Sequence, residues 1–350
     1  MTIHLLSADH RYQSLDEVAR LSRVDNLGPK LMRALPYLRG AVVVRTCNRL
    51  AILVDAPSRL AGSGQSGSAC PGSARAGSAC PGSAPAGSGA SAVADDVRAV
   101  LAHCTELPPE QVHLRHLAGH QAHLDLFATA AGLESMVVGE REIAGQLRRA
   151  FHAAWEEDTL SCDLGRALEH ASRTSRLVAT QTGLASSGRS VVAVGLDLAT
   201  QALRDAKLRP LKEVQVVLVG TGAYAGATVT ALRELGATNV RVYSRSERAQ
   251  LFAQGRGIGW VDETRLAQAL DAADLVVTCR GLGSPVLTRE IVQRVKTPLV
   301  ILDLALQRDV EAAVADLAGI SYIDLLSVQR AVPQAHGEQV RAAREIVARE

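Results

Sequence analysis

The sequence predicts an α/β fold in two unlike parts, an N-terminal α/β domain and a doubly wound parallel-sheet domain, followed by a C-terminal helix. Three observations carry this. First, "EVQVVLVGTGAYAGATVTALRELGATNVRVYSRSERA" reads strand, glycine-rich turn, helix, strand. Second, "VQVVLVG" is apolar without alternation, as a strand covered on both faces must be, and "ADLVVTCRG", "LVILDLAL" and "ISYIDLL" repeat the pattern. Third, the apolar runs "GAVVVRT" and "LAILVDA" flank a short polar segment, as in a hairpin. The two-faced covering and the glycine turn together define a Rossmann-type domain over residues 187–325.

The other elements follow in order. "TIHLLSA" is a strand, and "LDEVARLS" and "PKLMRALPYLR" are short helices. Residues 61–92 differ in kind. "GSACPGSARA" recurs as "GSACPGSAPA", with one charge and no large apolar side chain, so the segment reads as a disordered insertion. "VADDVRAVLAHC" is a helix and "VHLRHLA" a strand, and residues 121–158 are mostly helical, broken near Gly132. Residues 1–158 form the first domain and 159–186 a helical connection ending at Gly183. "SGRSVVAVGLDLATQAL" is the next helix, and "GEQVRAAREIVARE" lies in a helical tail, 326–350.

Composition narrows the class. The 350 residues are 47% hydrophobic, enough for two cores. Net charge is +2, so a nucleic-acid partner would need a local patch. Six cysteines are too few for a disulfide scaffold at this length and lack zinc spacing. "MTIHLLSADHRYQS" shows no signal-peptide pattern, and no apolar stretch reaches membrane-spanning length. A reduced cytoplasmic enzyme, with neither metal nor membrane, is the expectation.

Two sites carry chemistry. In "GTGAYAG", Gly220 makes the tight turn, Gly222 admits a pyrophosphate against the backbone, and Ala225 permits close helix–strand packing. Ala223 and Tyr224 complete the turn at the helix N-terminus, which favours phosphate. Where an NAD-binding acid would sit, the chain has Ser244, Arg245 and Ser246, with Arg248 near, which suit a 2'-phosphate and hence NADPH. Arg280 follows a later strand and brings charge to the same crevice. The second site is Cys47, between Arg45 and Arg49, two cations that favour a thiolate.

These parts occur in an order that resembles the glutamyl-tRNA reductase family. "TCNR" at 46–49 is similar to its nucleophile signature, and "HR" at 10–11 to its N-terminal S-H-R. "GLESMVVGEREIAGQ" at 132–146, "TQTGLASSGRSVV" at 180–192 and "ILDLALQRDV" at 301–310 resemble three further blocks. The resemblance implies that Cys47 attacks glutamyl-tRNA to form a thioester, which NADPH reduces to glutamate-1-semialdehyde. It places Thr46, Asn48, Arg49, Ser135, Glu140, Glu142 and Gln146 around the glutamyl group. Arg49 would hold a carboxylate and Glu140 the α-amino group. Arg141, Arg148, Arg149, Arg166, Arg173 and Arg176 could meet tRNA phosphates. Tetrapyrrole synthesis is the implied pathway and an aminomutase a downstream partner.

The chain also departs from the family pattern. Asp125 stands where the family has a histidine that assists at the reacting carbonyl, and His10 is the candidate to enter from elsewhere. Glu142 replaces a glutamine, Glu134 an aspartate and Gln307 a proline. The tail resembles the family's spinal helix without the dimerisation domain beyond it, so a monomer or an unconventional dimer is expected. Two alternatives remain open at this level: an aminoacyl-tRNA-dependent acyl transferase or reductase of a secondary pathway using the same acyl-enzyme, and a non-catalytic regulatory paralogue.

Overall fold

The structure is a computed structural model. It describes residues 2–46, 49–57, 89–140, 142–184, 190–245, 248–281, 283–332 and 337–350. Cys47, Asn48, Arg141, Ser246 and the repeat-bearing segment 58–88 lie outside the described residues.

The N-terminal part is built on a four-stranded antiparallel sheet of β1 (Thr2–Asp9), β2 (Gly40–Arg45), β3 (Arg49–Ala56) and β4 (Arg115–Ala118), ordered β2-β3-β1-β4. The β1–β3 register sets Asp9 opposite Arg49. One face packs on α1 (Leu15–Leu21), α2 (Leu27–Ala34) and α3 (Gly89–Thr105) through a core that includes Leu6, Leu31, Ile52 and Leu101. The other packs on α4 (His120–Ala130), α5 (Glu142–Glu156) and α6 (Cys162–Thr182) through Leu5, Val44, Leu126, Ile143 and Leu168. Helix α1 starts at a capping box: Ser14 accepts from the Glu17 N–H, and the Glu17 carboxylate accepts from Ser14.

Two local expectations change. Of "VHLRHLA", only Arg115–Ala118 is strand, preceded by a 3-10 turn at Pro109–Gln111. The break expected near Gly132 is a loop running from Ala131 to Glu140. A backbone reason is plain: Gly132 and Gly139 have φ of +74° and +87°, and a Cβ on Gly139 would lie 2.8 Å from the Leu184 carbonyl oxygen.

Beyond α7 (Val191–Asp205) the second sheet is fully parallel. Its strands are β5 (Val216–Val219), β6 (Val240–Tyr243), β7 (Gly259–Val261), β8 (Leu275–Thr278), β9 (Leu299–Asp303) and β10 (Ile320–Ile323). The order β10-β9-β8-β5-β6-β7 reverses direction between β5 and β8, which opens a crevice beyond their C-terminal ends. Helices α8 (Ala223–Glu234), α9 (Arg248–Gln254), α10 (Leu266–Asp271), α11 (Arg289–Val292) and α12 (Leu325–Ala331) complete the domain, and α13 (Gly337–Arg349) returns to pack on α4 and α6. The fold is therefore the expected α/β arrangement with a Rossmann-type sheet. Met136 and Val137, in the Ala131–Glu140 loop, are buried in the core of this second sheet. That insertion carries Glu140 to the cofactor turn. Among the described residues no helix is long and apolar enough to cross a membrane.

Candidate active site

The Cys47 loop is anchored at both ends. The Thr46 N–H donates to the Arg49 carbonyl at 2.9 Å, closing the β2–β3 hairpin, and Thr46 is buried. Arg49 is buried to 2% exposure. Its Nη1 donates to Asp125 Oδ2 at 3.0 Å and to Thr129 Oγ1 at 2.6 Å, and its Nη2 donates to Asp9 Oδ2 at 3.2 Å. Asp125 and Thr129 are one turn apart on α4, so both reach the same guanidinium.

The network extends outward. Arg115 Nη1 bonds Asp125 Oδ1 at 2.6 Å, and Arg11 Nη2 bonds Asp9 Oδ2 at 2.9 Å. Arg11 also pairs with Glu134, which Arg344 of α13 holds at 3.0 Å. Burial works against the Asp9 carboxylate. Hydrogen bonds from Arg11 and the charge of Arg49 outweigh it and hold Asp9 below its usual range. Burial lowers the Arg49 guanidinium, against the charges of Asp125 and Asp9.

Three expectations change. Arg49, expected to hold a substrate carboxylate, is buried and commits three of its N–H donors to Asp9, Asp125 and Thr129. Arg45 is engaged elsewhere: Nε donates to the Ser22 carbonyl at 3.2 Å, and Nη2 to that of Val24. Asp125, offered as a stand-in for a reacting group, is an ion-pair partner. His10 is half-buried and lines a cavity of about 260 Å³ with Asp303, Ala305 and Asp324, at the C-terminal edge of the parallel sheet.

A second cluster is differently made. Glu140 and Gln146 are buried, at 3% and 7% exposure, and Ser135, at 9%, lies in the same loop as Glu140. Tyr224 donates to Glu140 Oε1 at 3.0 Å, across the boundary between the two parts of the chain. Glu140 Oε2, Glu142 Oε2 and Gln146 Oε1 are buried with no hydrogen-bond partner among the described residues. Burial, with the charge of Glu142 adding to it, pushes the Glu140 carboxyl up to about 8. A buried cluster rich in acceptors and short of donors suits a cationic or N–H-bearing group.

The cofactor turn keeps the required geometry. Gly220 has φ +127°, and a Cβ on it would lie 3.1 Å from Cys279 Sγ. Open space surrounds the place where Gly222 would carry a Cβ, and no side chain caps the α8 N-terminus there. Ala225 is fully buried under the helix, and Ala223 lies in its first turn. A pyrophosphate fits these residues. Ser244 is half-buried and Arg245 exposed just after β6, and Arg248, the first residue of α9, is exposed too. Arg280 lies against the cofactor turn, its Cγ 3.4 Å from where Gly220 would carry a Cβ, but its guanidinium is engaged within its own loop: Nε donates to Asp309 Oδ1 at 3.3 Å and Nη2 to the Ser284 carbonyl at 2.7 Å.

Sequence reasoning missed Asp9, Arg11, Arg115 and Thr129 as partners of the central cluster. The "DHR" at 9–11 was a local signal for two of them, but nothing in the chain pairs residue 49 with residues 115–129.

Comparison with known proteins agrees with this architecture. Residues 6–182 match the family model described as glutamyl-tRNAGlu reductase, N-terminal domain, and residues 201–330 that of shikimate / quinate 5-dehydrogenase. The glutamyl-tRNA reductase of Cutibacterium acnes is 37% identical, over 98% of this chain and 70% of the relative. That of Micrococcus luteus is 38% identical, over 99% of this chain and 73% of the relative. Among solved structures, glutamyl-tRNA reductase from Methanopyrus kandleri matches 99% of this chain and 78% of its own, with 21% identity and a TM-score of 0.45.

Proposed function

The chain belongs to the glutamyl-tRNA reductase family of NADPH-dependent oxidoreductases, and on that premise we propose that it reduces the glutamyl group of glutamyl-tRNA to glutamate-1-semialdehyde through a thioester on Cys47. Membership places it in tetrapyrrole biosynthesis. The observation that carries the reading is the Tyr224–Glu140 hydrogen bond, which sets the phosphate-binding turn beside the acceptor-rich pocket.

The Cys47 thiolate attacks the ester carbonyl. A C–S bond forms, the C–O bond to the terminal ribose breaks, and the ribose oxygen leaves with a proton. Arg49 fixes the hairpin that presents Cys47 and is itself held by Asp9 and Asp125. Glu140, with Glu142 beside it, receives the α-ammonium group, whose charge offsets the burial that keeps Glu140 protonated. Gly220, Gly222 and the α8 N-terminus would hold the pyrophosphate of NADPH, and Ser244, Arg245, Ser246 and Arg248 its 2'-phosphate. When bound, NADPH supplies the hydride that takes the thioester to the aldehyde and releases the thiolate.

One observation favours a second reading. Arg49 is neutralised by two buried carboxylates, so the described pocket offers no free cation to an acidic side chain. The same acyl-enzyme could then take a different aminoacyl group. Incubation with charged tRNAs, with and without NADPH, tests both. Aldehyde from glutamyl-tRNA that disappears in Cys47→Ser supports the first. Acyl-enzyme formed only from another aminoacyl-tRNA overturns it and supports the second.

A further inference from the structure

We infer that the groove between α5 and α6 takes the phosphate backbone of the tRNA acceptor end; this rests on the reading above that an aminoacyl-tRNA is the substrate. The groove is a cavity of about 680 Å³. Arg148 and Arg149 line it from α5, and Arg173 and Arg176 from α6. All four are exposed, and only Arg173 has an ion-pair partner among the described residues, Glu169 at 3.8 Å. Four cations drawn from two helices onto one concave surface are not a solvated helix face. With Glu142 and Glu169 also lining it, the groove keeps an excess of positive charge, the complement of a polyanion.

The position of the groove matters as much as its charge. Glu142 lines one end. It also acts electrostatically on Glu140, in the pocket assigned to the α-ammonium group. His152, ten residues further along α5, lines the other end, about 15 Å away at the helical rise. A chain whose aminoacyl end is at Glu140 thus meets the arginines in the direction its phosphates must run. Leu147, Phe151 and Leu168 supply an apolar floor. Trp155, 69% exposed and one turn beyond Phe151, offers a ring on which an unpaired base can stack. The six arginines singled out in the sequence therefore do not act alike. Arg166 lines a separate cavity with Asp55 and His120, away from the groove.

The test uses the full chain with glutamyl-tRNA and the charge-reversal pair Arg149→Glu with Arg176→Glu. Both positions are exposed, and thermal midpoint and NADPH affinity report that the variant is folded. The expected result is a loss of tRNA affinity of about tenfold or more, with the salt dependence shallower by about 0.7 to 0.9 per lost phosphate contact. The pair Arg149→Lys with Arg176→Lys should recover most of the affinity, since a phosphate needs charge rather than a fork. If the parent takes the acyl group from glutamyl-tRNA and the reversed variant keeps its affinity and salt slope, the groove assignment is wrong and the reductase reading stands. If the parent neither binds charged tRNA nor forms an acyl-enzyme, both fall.

Discussion

The Arg49 and Glu140 clusters are both buried and both built from ionisable groups, yet they are built to opposite ends. Around Arg49 each charge meets its opposite: Asp9 and Asp125 face the guanidinium, and Arg11 and Arg115 face those acids in turn. Around Glu140 two carboxylates face each other, and three acceptor atoms have no donor among the described residues. A closed network specifies geometry. An open one is costly to keep unless a ligand completes it. On the reading proposed above, the contrast separates a residue that shapes the site from one placed to bind, although the sequence motifs nominate both alike.

The largest test of this contrast is Arg49→Met. It leaves Asp9 and Asp125 buried and short of their central cation, and should destabilise the fold by about 3–5 kcal/mol in chemical denaturation. A loss of activity with stability intact would instead make Arg49 a substrate ligand.

Next is Glu140. Its folded-state value, about 8, lies above its ordinary 4.5, so the folded state holds a proton that the unfolded chain releases. Stability on this account is full below pH 4.5 and declines as pH rises toward 8. Glu140→Gln lacks the decline. It should gain on the parent across that window while its KM for the aminoacyl substrate rises. Tyr224→Phe sharpens the same point. It removes a donor worth about 1 kcal/mol and should move the Glu140 titration upward in the pH profile, since the Tyr224 bond lowers it.

The smallest expected effect is at the rim. Arg344→Gln breaks a partly exposed pair with Glu134, which keeps Arg11, so the change should stay within about 1 kcal/mol of the parent.

How far the chain could be read depended on distance along it. The phosphate turn was fully legible because strand, glycines and helix are consecutive and each glycine answers a local need. Cys47 was nominated by its neighbours and motif company. For Arg280 the crevice-facing loop was legible, but its partner, Asp309, comes 29 residues later and was not. Arg49 was misread for the same reason, with Asp125 76 residues away.

The amino-acid order alone therefore determined the two sheets, the nucleotide turn and the family, because periodicity and backbone conformation are short-range properties. Tertiary structure decided which charges are free. It closed Arg49 and Arg280 against acids from distant segments, left Glu140 open beside Tyr224, and gathered four of six arginines into one groove. Electrostatic pairing acts through space and is strongest where water is excluded, so it becomes visible only when the elements are packed.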